Sequence, residues 1–225
     1  MKTKLSSVVI SLTVISTIAI ARDASVSGGE ANLASQNAAL SANTDGKGYG
    51  PQSPRDLSSK RGTNKRLFNP APSYQNLNLC NIHMHKNAEH KGGQFTEFAG
   101  YGDGKGYESG YKYSGKLTSG ELMPLAQQIC KGDHSSLSVG DTIEVHFVHS
   151  SARVKPGPTL GSCLSDTLSN PQLRVEAQVY VLVNDSSALD FVKLTKTGEI
   201  NGYQQAINIP KNAGVPIKYA GSTTG

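Results

Sequence analysis

Three runs of residues constrain this chain most: "LNLCNIHMH" (Leu77–His85), "TIEVHFVH" (Thr142–His149) and "LRVEAQVYVLVND" (Leu173–Asp185). Each alternates well enough, or is apolar enough, to read as a strand. Valine, isoleucine, threonine and tyrosine, which suit a pleated and half-buried surface, recur throughout the chain in short runs. Gly, Pro, Asn and Ser separate these runs, and that punctuation favours a mainly β fold over a helical bundle. At 225 residues the chain has room for one sizeable domain with an extension. No internal repeat is visible.

The remaining segments frame the three strands. Residues 1–21 read as a signal peptide: Lys2 and Lys4 start it, Leu5 to Ile20 carries no charge, and Ala19-Ile20-Ala21 supplies small residues for cleavage. The apolar run is short for a bilayer span, so we expect an exported protein, periplasmic or secreted, with no stable membrane insertion after cleavage. Residues 22–48 form an N-terminal extension in which "EANLASQNAALSAN" (Glu30 to Asn43) has helix-compatible spacing. Residues 44–76 read as loops and irregular cover. The stretch "GYGDGKGYESGYKYSG", within Gly92 to Gly115, reads as a long loop or hairpin. Its glycines lack the strand-turn-helix setting of a phosphate loop. Thr118 to Glu121 has the form of a capping box and predicts a short helix to about Cys130.

Charge excludes one class of partner. Removing Lys2 and Lys4 with the leader takes the formal net charge from +5 to +3. Lys60-Arg61 and Lys65-Arg66 have no aromatic-interleaved basic stripe around them, so no nucleic-acid partner is expected. The cysteines are Cys80, Cys130 and Cys163, and export permits a disulfide among them. Spacing leaves all three pairings open; we favour Cys130 with Cys163, because Cys80 suits a buried thiol in a strand. No CxxC spacing exists to hold zinc by thiolates.

The chemistry concentrates in two of the strands. On a strand, residues i and i+2 face the same side, so His83 and His85 project together about 7 Å apart at Cα. Cys80, Ile82 and Met84 are then placed on the opposite, core-facing side. In "TIEVHFVH", Glu144 and His146 share a face, and Val148 falls on it too. Ile143, Val145, Phe147 and His149 take the other face, where His149 is expected to be structural. Three imidazoles with one open position make a tetrahedral catalytic metal site, and a carboxylate beside one of them can fix its tautomer.

"HMHKNAEH" followed by "IEVHFVH" resembles the ligand strands of alpha-type carbonic anhydrases. "GPQSPRDL" (Gly50 to Leu57) and "YAGSTTG" (Tyr219 to Gly225) are similar to the family's flanking segments, in the same order. "NLCNIHMHKNAEHKG", the Gly/Tyr insert and "GSCLSD" look most like the delta class. The resemblance, in scattered blocks over 49–225, implies a single domain around a twisted, largely antiparallel sheet with few short helices. It also implies further strands beyond Gly225, so the domain at 49–225 is expected to be incomplete at its C-terminal end.

Carried over residue by residue, the resemblance makes His83, His85 and His146 the ligands of Zn2+, with Co2+ or Cd2+ as possible substitutes. Glu144 would support His146 from behind. Thr223 would accept a hydrogen bond from the zinc-bound hydroxide, and Glu89 would take the proton of Thr223. Val148 would line the substrate pocket, and His90 would be structural. The implied activity is zinc-dependent reversible hydration of CO2 to bicarbonate and a proton. An exported non-catalytic zinc-binding module, or a zinc esterase or other hydrolase, is the alternative. The interval Arg55 to Ile82 lacks the alpha-class shuttle histidine, which leaves His134 as the unassigned histidine.

Overall fold

The structure is a computed structural model and describes residues 35, 38, 42, 69–101, 109–127, 129–130, 136–216 and 218. The expectations for the leader, for most of the N-terminal extension, for Gly50 to Leu57, His134 and Tyr219 to Gly225 (Thr223 included) lie outside these residues. Within the extension, the described residues Ser35, Ala38 and Ala42 have α-helical backbone.

The fold is mainly β and antiparallel. Among the described residues its strands are β1 (Asn78–Lys86), β2 (Phe95–Tyr101), β3 (Ser109–Tyr113), β4 (Thr142–Ser150), β5 (Leu173–Val181), β6 (Thr197–Ile200) and β7 (Tyr203–Ala206). They form a three-stranded sheet in the order β1-β4-β5 and two hairpins, β2-β3 and β6-β7. The expected strands at Leu77, Thr142 and Leu173 are the three strands of the main sheet. β4 is its centre, buried at every position except a half-buried His146. Among the described residues no helix is long and apolar enough to cross a membrane.

One face of the main sheet builds the core. Leu79, Ile82 and Met84 from β1 meet Ile143, Val145 and Phe147 from β4, with Ala206 of β7 and Leu137 packed over them. Phe147 is fully buried, and a side chain of that size contributes about 1.5–3 kcal/mol by leaving water. Polar anchors hold the cover in place. Gln205 Nε2 donates to the carbonyls of Tyr74 (3.0 Å) and Leu77 (2.8 Å). The β6-β7 hairpin has Asn201 and Gly202 at its turn, both at positive φ (52° and 80°). An Asn-Gly pair suits such a two-residue turn, because both positions tolerate positive φ.

A β-bulge breaks the parity of β1. Leu79 pairs with His149 and Asn81 with Val148, so Cys80 is the extra residue between them. Leu79 therefore turns to the core with His149. Cys80 leaves the core face and packs with Val148 and Cys163 on the other side. The disulfide is Cys80–Cys163, and Cys130 lies outside it. This corrects the favoured pairing of Cys130 with Cys163 and the core-facing placement of Cys80. The cause is the same: the bulge aims Cys80 at the short 3-10 turn Leu160–Cys163.

The capping box forms but starts no helix. Glu121 Oε2 accepts from the Thr118 backbone N (2.6 Å) and hydroxyl (2.7 Å), and Thr118 Oγ1 accepts from Glu121 N (3.2 Å). The chain then runs through turns up to Pro124. Gly120 weakens a helix there, and Pro124 restricts Met123 and lacks the N–H that a second turn needs.

The β2-β3 hairpin answers the expectation of a loop or hairpin between Gly92 and Gly115. It docks through Ala88, whose N and O pair with Tyr111 O (2.8 Å) and N (2.9 Å). Gly110 has φ of 88°, and a Cβ there would overlap the Ala88 carbonyl. Gly110→Ala should therefore lift the hairpin from Ala88. We expect a loss of roughly 1–3 kcal/mol, with fast amide exchange at Ala88 and Tyr111. A melting curve with exchange data checks this, and unchanged protection would show that the hairpin docks by other means.

Candidate metal centre

The β1-β4 register brings the histidines together. His83 pairs with His146 and His85 with Glu144, and directly paired residues project to the same face. Ring centroids are 5.2 Å apart for His83–His85, 5.1 Å for His83–His146 and 4.7 Å for His85–His146. One ring nitrogen from each lies within 4.8 Å of the others, so the three could hold a metal ion.

Two of the rings are held from behind. Glu144 Oε1 accepts from His146 Nε2 at 3.1 Å, which leaves Nδ1 of that ring for the cluster. Glu144 Oε2 accepts from the Glu89 backbone N at 2.6 Å. Asn81 stands two residues before His83, on the same face, and its Oδ1 lies 2.6 Å from His83 Nδ1. Asn81 Nδ2 donates to the Gly157 carbonyl at 3.0 Å.

The electrostatics follow from burial and pairing. Desolvation lowers the pKa of His83, and the neighbouring charges of His146 and His85 lower it further. Desolvation also opposes charge on His146, but the hydrogen bond and charge of Glu144, with Glu89 behind, outweigh it and raise that ring above the ordinary value. Desolvation pushes Glu144 upward. Hydrogen bonds from His146 and Glu89 N, with the charges of His146 and His90, overcome that and hold it below the usual carboxylate range.

Glu89 stands beside the cluster, its carboxylate 3.6 Å from His85 Nε2 and 3.9 Å from His146 Nε2. Asn87 places it there. This residue turns the chain at φ of 70°, its N bonded to Thr142 O (2.8 Å) and its Nδ2 to Ser109 O (2.9 Å). Glu89, His90 and Glu144 also lie close enough to share an ion. Both oxygens of Glu144 are already engaged, one by His146 and one by Glu89 N.

Val148 lies on the histidine face, opposite Asn81, buried against the disulfide. β5 extends this face with Val175 opposite Val148, Ala177 opposite His146 and Val179 opposite Glu144. Sequence reasoning missed this apolar strip, although period-2 parity in "LRVEAQVYV" carries it. It missed Asn81 as well, whose signal is the i−2 position before His83. His149 takes the core face, fully buried beside the Tyr74 ring (centroids 5.4 Å), and burial lowers its pKa to about 4. Of the residues expected to act in catalysis, Glu89 is beside the cluster and Thr223 is outside the described residues.

Three imidazoles on one sheet face, two of them held at their outer nitrogens, define a candidate mononuclear metal centre with three nitrogen donors. The chain belongs to the delta carbonic anhydrase family, whose model matches residues 74–225. No curated protein and no solved structure matches it.

Proposed function

We propose that this chain catalyses the reversible hydration of CO2 to bicarbonate and a proton, using Zn2+ held by His83, His85 and His146. The observation that carries the reading is the convergence of the three imidazoles, each able to present a nitrogen, on one face of the sheet. The donor set suits zinc, since three neutral nitrogens with one open position is the ligand count of a catalytic zinc site. Bound zinc would acidify a water to near neutrality, as is known of carbonic anhydrases themselves, and supply a nucleophile at neutral pH.

The chain's own residues supply the rest. Asn81 and Glu144 orient two of the rings, so that little rearrangement accompanies metal uptake. Val148, Val175 and Ala177 offer an apolar wall beside the centre, suited to holding a substrate with no net dipole. Glu89, with Thr223, would orient the attacking group through a hydrogen-bonded pair. Export agrees with the Cys80–Cys163 disulfide, which needs an oxidising compartment to persist.

Stopped-flow CO2 hydration by the purified chain, with metal content measured alongside, tests the proposal. We expect one zinc per chain and hydration that a chelator removes and zinc restores. An exported zinc-binding module is the second reading, favoured by the 49% exposure of Val175, which leaves the apolar wall open on that side. Stoichiometric zinc without hydration would establish that reading instead.

A further inference from the structure

The Gly157 loop lies outside the two histidine strands in sequence, and one short chain of contacts through β1 joins it to His83. Gly157 lies between Pro156 and Pro158, which stiffen it. Its N donates to the Cys80 carbonyl at 3.0 Å, and its own carbonyl accepts from Asn81 Nδ2 at 3.0 Å. The far end of the loop, at Cys163, is bonded to Cys80 through the disulfide. The loop is also closed on itself: a Cβ on Gly157 would overlap Ser162 Oγ and lie 2.8 Å from Ser162 Cβ. Two attachments at the bulge thus fix where the Gly157 carbonyl points.

That carbonyl can only accept. Asn81 is 2% exposed, so its amide has no water to turn to and must present its NH2 group to Gly157. The amide oxygen then faces His83 Nδ1 at 2.6 Å. The opposite amide orientation would set oxygen against oxygen at Gly157 and leave buried groups unpaired.

We propose that the disulfide-anchored Gly157 loop is a positioning element for the metal centre: through Asn81 it selects the Nδ1–H tautomer of His83 and leaves Nε2 as the ligand. The inference rests on the three-histidine reading of the centre. It adds a dependence of metal affinity on a loop that supplies none of the ligands named above. Neither strand parity nor the ligand pattern implies it.

Gly157→Ala keeps the carbonyl but forces residue 157 away from Ser162 within the loop; Gly157→Ala with Ser162→Gly reopens the space. Two readouts are taken on each protein: the His83 tautomer in metal-free chain by long-range 1H–15N NMR, and Co2+ affinity by visible absorption. Wild type should show Nδ1–H at His83. Gly157→Ala should mix the tautomers and weaken Co2+ about 10–100-fold, as loss of an outer-sphere partner does, with an unchanged metal-free fold by circular dichroism. The double variant should recover both.

A Gly157→Ala chain with wild-type tautomer and affinity would overturn the proposal, and so would a double variant that recovers neither. The two readings part at wild type. Nδ1–H with no Co2+ uptake sinks the metal centre, while Co2+ uptake with the other tautomer sinks the loop's role.

Discussion

His146→Ala should abolish both stoichiometric zinc retention and CO2 hydration, whereas His149→Ala should keep the zinc and lose stability. The two histidines are three residues apart on β4 and face opposite sides of the sheet. His146 sits opposite His83 in the cluster, and His149 opposite Leu79 in the core. Removing His146 takes away one of the three proposed ligands and leaves Glu144 Oε1, on a buried carboxylate, without the ring it accepts from. Removing His149 empties a buried space, which costs about 2–5 kcal/mol for side chains of comparable size. Metal analysis with urea denaturation of the metal-free proteins separates the outcomes. Equal zinc loss in both variants would show that the register of β4 is wrong.

The same histidine gives the stability a pH dependence. Folded, burial holds His149 at about 4, while an unfolded histidine titrates near 6.5. Between these values the unfolded chain takes up a proton that the folded chain refuses. Its contribution is therefore fully present above about pH 6.5 and declines as pH falls toward 4. The full window is worth roughly 3 kcal/mol for this group. In metal-free protein, the fall in unfolding free energy from pH 6.5 to 4.5 should be shallower in His149→Ala than in wild type. Parallel slopes would mean that His149 is solvated in the folded chain.

Loss of the disulfide should be the other large effect. Cys80 and Cys163 are 83 residues apart in sequence, and a crosslink closing so long a loop removes much entropy from the unfolded chain. Cys163→Ser should cost about 2–5 kcal/mol. Cys130→Ser should leave the crosslink in place. Peptide mapping under non-reducing conditions checks the pairing directly. A Cys130–Cys163 peptide in place of Cys80–Cys163 would refute the assignment and, with it, the anchoring of the Gly157 loop.

The contrast between these residues shows where local information stopped. Strand parity is a local property, fixed by the pleat, and it put His83 with His85 and Glu144 with His146 correctly from the sequence alone. The β-branched and alternating runs likewise marked β1, β4 and β5. Parity failed at Cys80, because a bulge is settled by what the neighbouring strand and the 3-10 turn offer, and that moved Cys80 away from Ile82 and Met84. The helix after Thr118 failed for a nearer reason, since its cap formed but Pro124 stopped the turn that would follow.

By itself the sequence determined the class of the fold, the face of each histidine strand on which the cluster gathers, and the kinship that its "HMHKNAEH" and "IEVHFVH" runs express. Only the tertiary structure decided that His83 stands opposite His146, that Cys80 and not Cys130 meets Cys163, and that Asn81 links the Gly157 loop to the His83 ring. Those are register, crosslink and long-range hydrogen bond. Each depends on segments 60 or more residues apart being brought into contact, and no periodicity within a single strand encodes it.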